Sequence, residues 1–141
     1  MQKCWEVGDL ADIIDCIEAL PNLLKLIPAT ENQIAGAEQQ LSVRFSEDYK
    51  EYLRKFGAIV ADGIELSGIA RSDYRNVVTL TKKEWDINPG VDHTMYVIED
   101  THIDGIVIWQ DHDGHIYQTH PFTKPQKISE SLAAYIASHR G

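Results

Sequence analysis

The chain has 141 residues, of which 43% are hydrophobic and 25% are charged, so it has the size and composition of one globular domain. Its longest apolar runs are too short to span a bilayer, and its N-terminal segment lacks the apolar core of a signal peptide, so we expect a cytoplasmic protein. The net charge of -9 argues against nucleic acids and anionic membranes as ligands, because both bind to basic surfaces.

The first residues predict a helix followed by a connector. Asp9 can cap a helix that continues to about Leu20, because apolar residues recur there at the i, i+3, i+4, i+7 spacing. Pro21 ends this helix, and an apolar connector follows over residues 22–27. We therefore treat residues 1–27 as an N-terminal helix and connector.

Two further helices begin at capping signals. Thr30 and Gln33 form the capping box of a helix over residues 31–41. Ser46 starts a helix over residues 47–56, and the two acids in its first turn complement the helix dipole. Each of these helices has one apolar face, which is typical of helices that cover a core.

The middle of the chain combines an extended segment and an ambiguous one. Residues 59–69 predict extended structure, interrupted by two glycines. Residues 74–86 fit both a strand and a helix that ends with Trp85. We favour the helix, because residues 77, 78, 81 and 85 recur at helical spacing.

Three strands separated by Asp-Gly turns predict an antiparallel meander. They cover residues 95–99, 106–110 and 115–119. The strand over 106–110 is apolar almost throughout, so we expect it to be central and covered on both faces. Ser129 caps a final helix over residues 129–139. Flanking helices around a mostly antiparallel sheet place the chain, as a single domain, in the α+β class.

The acidic residues concentrate in residues 84–123. This stretch holds eight Asp and Glu residues, no Lys or Arg, and five of the six histidines, so it carries -8 of the net charge of -9. Turns favour Asp, but this preference does not explain why every base is missing. We hypothesise that the stretch, with one acid from an earlier segment, forms a surface for a basic partner through Glu65, Glu99, Asp100, Asp104, Asp111 and Asp113. An exposed Trp109 would serve as its aromatic anchor.

Residues 111–115 are the strongest candidate for a catalytic or metal site. An EF-hand is excluded, because glycine stands fourth rather than sixth and Phe122 occupies the position of the last ligand. His112 and His115 could bind zinc with a remote third ligand, but an Asp-Gly turn requires the same residue types. The sequence contains no serine elbow, phosphate-binding loop or HExxH motif. We therefore predict no metal, no cofactor and no enzymatic activity.

The segment from Thr30 to Gly57 carries a family pattern. A short capped helix is followed by a second helix start, two acids, tyrosines at helical spacing and a glycine. This pattern resembles the SUKH superfamily, and the later Asp-Gly turns and final helix follow the family's order, so the resemblance covers residues 28–141. The family usually has proline where Ser46 stands and a second glycine where Ala58 stands. Serine can serve the same role at a helix start.

The SUKH superfamily is best known for bacterial immunity proteins of polymorphic toxin systems, and it also includes fungal regulators of cell-wall synthesis. The resemblance implies a protein without enzymatic activity that binds a cognate toxin domain and neutralises it by occlusion. Such toxins are often nucleases, which are basic because they bind phosphate, so an acidic inhibitor would be complementary. One alternative is a regulatory or scaffold module like the fungal relatives. Another is a small metal-dependent enzyme that uses the histidines and aspartates of residues 111–115.

Overall fold

The structure is a computed structural model, and it describes residues 12–139. Within this range the helices and strands are, in chain order, α1 (Ile13–Glu18), β1 (Leu24–Lys25), α2 (Glu31–Leu41), α3 (Glu47–Phe56), β2 (Ile59–Ala61), β3 (Ile64–Leu66), α4 (Val77–Ile87), β4 (Tyr96–Asp100), β5 (Val107–Gln110), β6 (Ile116–Thr119), β7 (Gln126–Ser129) and α5 (Leu132–His139). A single-turn 3-10 helix, Asp73–Arg75, precedes α4. Among these helices, none combines the length and apolarity needed to cross a membrane.

The helices of the first half follow their capping signals. The predicted bounds of α2 and α3 are confirmed, and Thr30 and Gln33 form the reciprocal capping box. The helix α1 is capped by Asp12, whose carboxylate accepts a hydrogen bond from the amide of Ile14 at 2.8 Å. Asp12 itself has an extended backbone, and α1 begins at the next residue. The predicted cap, Asp9, lies outside the described residues.

The ambiguous segment is a helix, as favoured from the sequence. Asn76 caps α4, and its side-chain oxygen accepts a hydrogen bond from the amide of Val78 at 2.9 Å. The prediction for the last helix was wrong at its start. Ser129 belongs to β7, and Ser131 caps α5 instead, since its hydroxyl accepts a hydrogen bond from the amide of Ala134 at 3.1 Å.

Strands within the described range form two antiparallel sheets, in the orders β1-β2-β3 and β4-β5-β6-β7. The strand β5 is interior and buried at every residue, which confirms the prediction for residues 106–110. One face of its sheet, including Ile108, packs against the main core with α3 and α5. The other face, including Trp109, packs against Leu80 of α4 in a second core. The fold is a single α+β domain with this four-stranded sheet between helices.

A buried hydrogen-bond network joins α3 to the four-stranded sheet. The hydroxyl of Tyr96 accepts from the amide of Ser46 and donates to Gln110, each at 2.8 Å. The amide group of Gln110 in turn donates to the carboxylate of Asp48 at 3.1 Å, and the same carboxylate accepts from the backbone amide of Leu132 at 3.1 Å. These hydrogen bonds attach the first turns of α3 and α5 to each other and to the last residue of β5.

Replacing Tyr96 by phenylalanine removes one hydroxyl from this network. It leaves the buried amide of Ser46 without its acceptor and the side chain of Gln110 without its donor. We therefore expect the variant to fold but to lose about 2 kcal/mol of unfolding free energy. Urea denaturation of both proteins measures this difference, and a loss below about 0.5 kcal/mol would show that the network contributes little.

Three backbone segments cross closely at two glycines. Gly57 ends α3 with a φ of 74° and a ψ of -60°, and its amide donates to the carbonyl of Leu53 at 2.9 Å. A Cβ atom at Gly57 would lie 2.0 Å from the carbonyl oxygen of Ile27. A Cβ atom at Gly68 would lie 1.8 Å from the carbonyl oxygen of Gly57. Only glycine allows these segments to approach so closely.

Candidate partner-binding surface

The acidic residues of the predicted surface lie at two ends of the four-stranded sheet. Because β4, β5 and β6 are antiparallel, the loop after β4 and the loop after β5 emerge at opposite ends. Asp100 and Asp104 lie at one end, and Asp111 and Asp113 lie at the other. The four residues of β5 separate these ends by about 14 Å. We call them the Asp104 end and the Asp113 end.

Two loops and a turn meet at the Asp104 end. The β4–β5 loop contacts the β6–β7 loop closely, because a Cβ atom at Gly105 would lie 2.7 Å from the ring of Pro121. The β2–β3 hairpin is joined to β4 through Glu99, whose carboxylate accepts a hydrogen bond from the backbone amide of Glu65 at 2.9 Å. Asp104, in the β4–β5 loop, is exposed.

Glu99 is buried, which corrects its predicted place on an exposed surface. A β-bulge between Val97 and Glu99 places its side chain on the face that α5 covers. There its carboxylate accepts a hydrogen bond from the hydroxyl of Tyr135 at 2.5 Å. Burial and the nearby Glu99 carboxylate raise the pKa of the Tyr135 hydroxyl well above its ordinary value, so this tyrosine stays protonated. Glu99 therefore connects β4 to α5 rather than presenting a free charge.

The other two acids of the Asp104 end are partly buried. Glu65 forms an ion pair with Arg75, with 3.5 Å between Oε1 and Nε. Asp100 accepts a hydrogen bond from the amide of His102 at 3.0 Å, and only 17% of its side chain is exposed. Asp104 is thus the most accessible carboxylate of the predicted set at this end.

At the Asp113 end, Asp111 organises the hairpin turn. One of its carboxylate oxygens accepts hydrogen bonds from the amides of Asp113 and His115, at 3.1 Å and 3.0 Å. The other accepts from the hydroxyl of Tyr117 at 3.0 Å. Burial and this carboxylate raise the pKa of the Tyr117 hydroxyl. Asp113 is exposed and lies beside His112, with 3.4 Å between Oδ1 and Nε2.

Ligand atoms of Asp111, Asp113 and His115 lie within 4.8 Å of one another, which is close enough to hold a metal ion. His112, which we considered as a zinc ligand from the sequence, is not part of this group. The oxygens of Asp111 already accept three hydrogen bonds that shape the turn. The geometry of these residues is thus accounted for by the turn itself, as an Asp-Gly hairpin requires.

Trp109 cannot serve as an exposed anchor, because its side chain is 0% exposed. It points to the face of β5 that α4 covers, and its indole N–H donates to the hydroxyl of Thr119 at 3.0 Å. A buried indole with a hydrogen-bond partner is a core residue. Trp109 is therefore removed from the candidate binding residues.

A second buried carboxylate belongs to α4. Glu84 of α4 is buried, and its oxygen accepts a hydrogen bond from the side chain of Asn88 at 3.1 Å. Burial, and secondarily the like charge of Asp100, raise the pKa of Glu84 above its ordinary value of 4.5. The folded protein thus holds this proton more tightly than the unfolded chain does, and ionisation of Glu84 costs folding free energy.

Replacing Glu84 by glutamine is therefore expected to stabilise the protein near neutral pH. Glutamine lacks the charge but keeps an oxygen for Asn88. The advantage over the wild type should be absent below pH 4.5, appear as the pH rises above that value, and be complete above the raised pKa of the folded state. Thermal unfolding of both proteins from pH 4 to pH 8 checks the sign, and an advantage that shrinks with rising pH would contradict it.

Sequence reasoning missed an apolar groove at the Asp104 end. Its volume is about 410 Å³, and its lining includes four isoleucines from three separate segments, Ile103, Ile106, Ile108 and Ile128. We call it the isoleucine groove. Glu99 and Tyr135 also line it. The only local signal was Ile103, an apolar residue inside a polar turn.

The fold and this geometry can be compared with known proteins. No curated protein matches the chain. A crystal structure of a protein from Pseudomonas syringae pv. tomato is similar, with a TM-score of 0.72 and 18% identity over 91% of this chain and 96% of that chain, and this likeness shows the fold alone. Residues 10–139 match the model of SUKH_5, a family with the description SMI1-KNR4 cell-wall. The match confirms the resemblance, and the chain belongs to the SUKH_5 family.

Proposed function

We propose that this protein is an immunity protein that acts in the cytoplasm, where it binds a basic toxin domain, a nuclease, and neutralises it by covering the active site. Family membership supports a role in binding rather than catalysis. The observation that carries the proposal is the stretch of residues 84–123, with eight acids and no Lys or Arg. It supplies loops at both ends of the sheet, so a negative field extends from each end.

This charge distribution suits an inhibitor of a nuclease. A nuclease cleft is basic because it binds a phosphate backbone. An acidic protein accelerates its own encounter with such a cleft, while a few buried contacts determine how long the complex lasts. A specific interface also needs about 800 Å² from each partner, which is more than a single hairpin tip offers. The acidic loops must therefore act together with a neighbouring apolar surface.

We expect a neighbouring gene to encode the toxin domain, and that domain allows a test in cells. The toxin domain is produced alone and together with this protein, and colony survival is counted. We expect survival only with both proteins, and stoichiometric loss of nuclease activity when the purified protein is added. Equal killing with and without the protein, at matched expression, would contradict an immunity role.

A second candidate is a regulatory module that binds other proteins, and the family's description as SMI1-KNR4 cell-wall favours it. The two functions predict different results. An immunity protein inhibits its toxin directly in a purified mixture. A regulatory module leaves nuclease activity unchanged, and its loss alters cells that carry no toxin.

A further inference from the structure

The isoleucine groove exposes apolar side chains that the fold does not cover. It opens on the sheet face that α5 covers, where Ile108 and Tyr135 contribute to its lining. Ile103 and Ile128 also line the groove, and they remain 62% and 42% exposed. Single exposed isoleucines are common, but several around one concave site are typical of a surface that receives a partner.

Charges around the isoleucine groove are mainly negative. Two exposed acids are sequence neighbours of lining residues: Asp62 precedes Gly63 in the β2–β3 turn, and Asp104 follows Ile103 in the β4–β5 loop. Asp62 also accepts a hydrogen bond from the side chain of Asn22 at 2.7 Å. Among the described segments that line the groove, β7 alone supplies a lysine or arginine, Lys127, and the neighbouring β6–β7 loop carries the exposed Lys124. The side chain of Lys127 lies opposite Tyr117, on the other face of the sheet from the groove, and it pairs with Glu130 at 2.8 Å. The mouth of the groove thus favours a cation.

A second groove of the same volume provides a direct contrast. It also measures about 410 Å³, and its lining includes Leu26 and Ile27. Arg71 and Arg75 line it as well, and although Arg75 pairs with Glu65, the lining contains cationic side chains that the lining of the isoleucine groove does not. A basic partner would be repelled from this arginine-lined groove and attracted to the isoleucine groove.

We propose that the isoleucine groove receives an apolar side chain of the toxin domain that is flanked by lysine or arginine. The apolar side chain would contact Ile103 and Ile128, and its basic neighbours would face Asp62 and Asp104. This inference rests on the proposed function and specifies its binding site. It also supplies the apolar contact area that the acidic loops alone lack.

Paired double variants test the site. Ile103→Ser with Ile128→Ser removes two groove side chains without adding charge. Leu24→Ser with Ile27→Ser is the matched control, because these residues are also exposed and Ile27 lines the arginine-lined groove. The dissociation constant of each variant is measured by calorimetry with a catalytically inactive toxin domain. We expect the first pair to weaken binding at least about thirtyfold and the control to change it less than about twofold.

A direct measurement accompanies the variants. In wild-type protein with labelled isoleucine methyl groups, the signals of Ile103 and Ile128 should shift when the toxin domain is added, while that of Ile27 should not. All four substituted residues are exposed, so circular dichroism should show folded variants.

Each remaining outcome overturns the inference in a distinguishable way. If the control pair weakens binding and the groove pair does not, the toxin occupies the arginine-lined groove and the immunity role stands. If neither pair matters although the complex forms, the toxin binds elsewhere and the immunity role again stands. If the wild-type protein does not bind the toxin domain, the proposed function fails and this inference fails with it.

Discussion

Replacing Gly68 by alanine is expected to destabilise the folded protein by about 3 kcal/mol. The added methyl group would lie 1.8 Å from the carbonyl oxygen of Gly57, which is backbone and cannot rotate away. Backbone hydrogen bonds hold both sides of the contact. The amide of Ile69 donates to Gly57 at 3.0 Å, and the amide of Val77 donates to Gly68 at 2.8 Å. The chain segments must separate, and these bonds must lengthen, for the methyl group to fit.

Gly36→Ala is the matched control for this prediction. Gly36 lies inside α2, and a Cβ atom there would meet nothing within 4 Å. Alanine is the better helix former, so this variant should gain about 0.5–1 kcal/mol. Guanidinium denaturation followed by circular dichroism measures both changes. Equal stability of Gly68→Ala and the wild type would show that the three segments are not in close contact.

Features fixed by local sequence were predictable almost to the residue. The capping box at Thr30 and the cap at Ser46 determine where α2 and α3 begin, since the capping groups lie within three residues of the amides they bind. The central position of β5 was also predictable. A strand whose side chains are apolar on both faces needs cover on both faces.

Features that depend on distant pairing were not predictable from the same signals. The strand β7 is short and mostly exposed, and it exists because it pairs with β6. Its formation moves the start of α5 from Ser129 to Leu132. The buried position of Glu99 depends on a β-bulge and on Tyr135, neither of which has a local sequence signal.

The candidate site combines a feature that was predictable from the sequence with features that depend on the folded structure. The acidic stretch was evident in the sequence, but its division between two ends of the sheet follows from antiparallel pairing, which sends successive loops in opposite directions. The isoleucine groove could not be predicted, because its walls come from loops and strands that meet only in the folded protein. The acidic character of the surface can thus be predicted from the sequence, whereas the shape of the groove beside it depends on tertiary contacts.

Reversing one charge at the Asp104 end is expected to slow association with the toxin domain about tenfold at 0.1 M ionic strength. The variant is Asp104→Lys, which places a cation beside the isoleucine groove. Asp113→Lys changes the net charge equally but at the other end of the sheet. The two ends are about 14 Å apart, and the screening length at this ionic strength is about 10 Å, so we expect Asp113→Lys to slow association less than about twofold.

Two further comparisons separate charge from backbone geometry. Asp104 has a φ of 52°, which lysine adopts less readily than aspartate, so Asp104→Lys changes the turn as well as the charge. Asp104→Asn tolerates the same backbone and removes only the charge, and it should slow association by an intermediate factor. Stopped-flow mixing from 0.02 to 0.5 M salt should show the association rates of the wild type and the three variants converging as salt rises, because screening removes the electrostatic steering and leaves the short-range contacts. If Asp113→Lys slows association as much as Asp104→Lys at 0.1 M salt, the toxin approaches both ends equally, and the groove at the Asp104 end is not the centre of its interface.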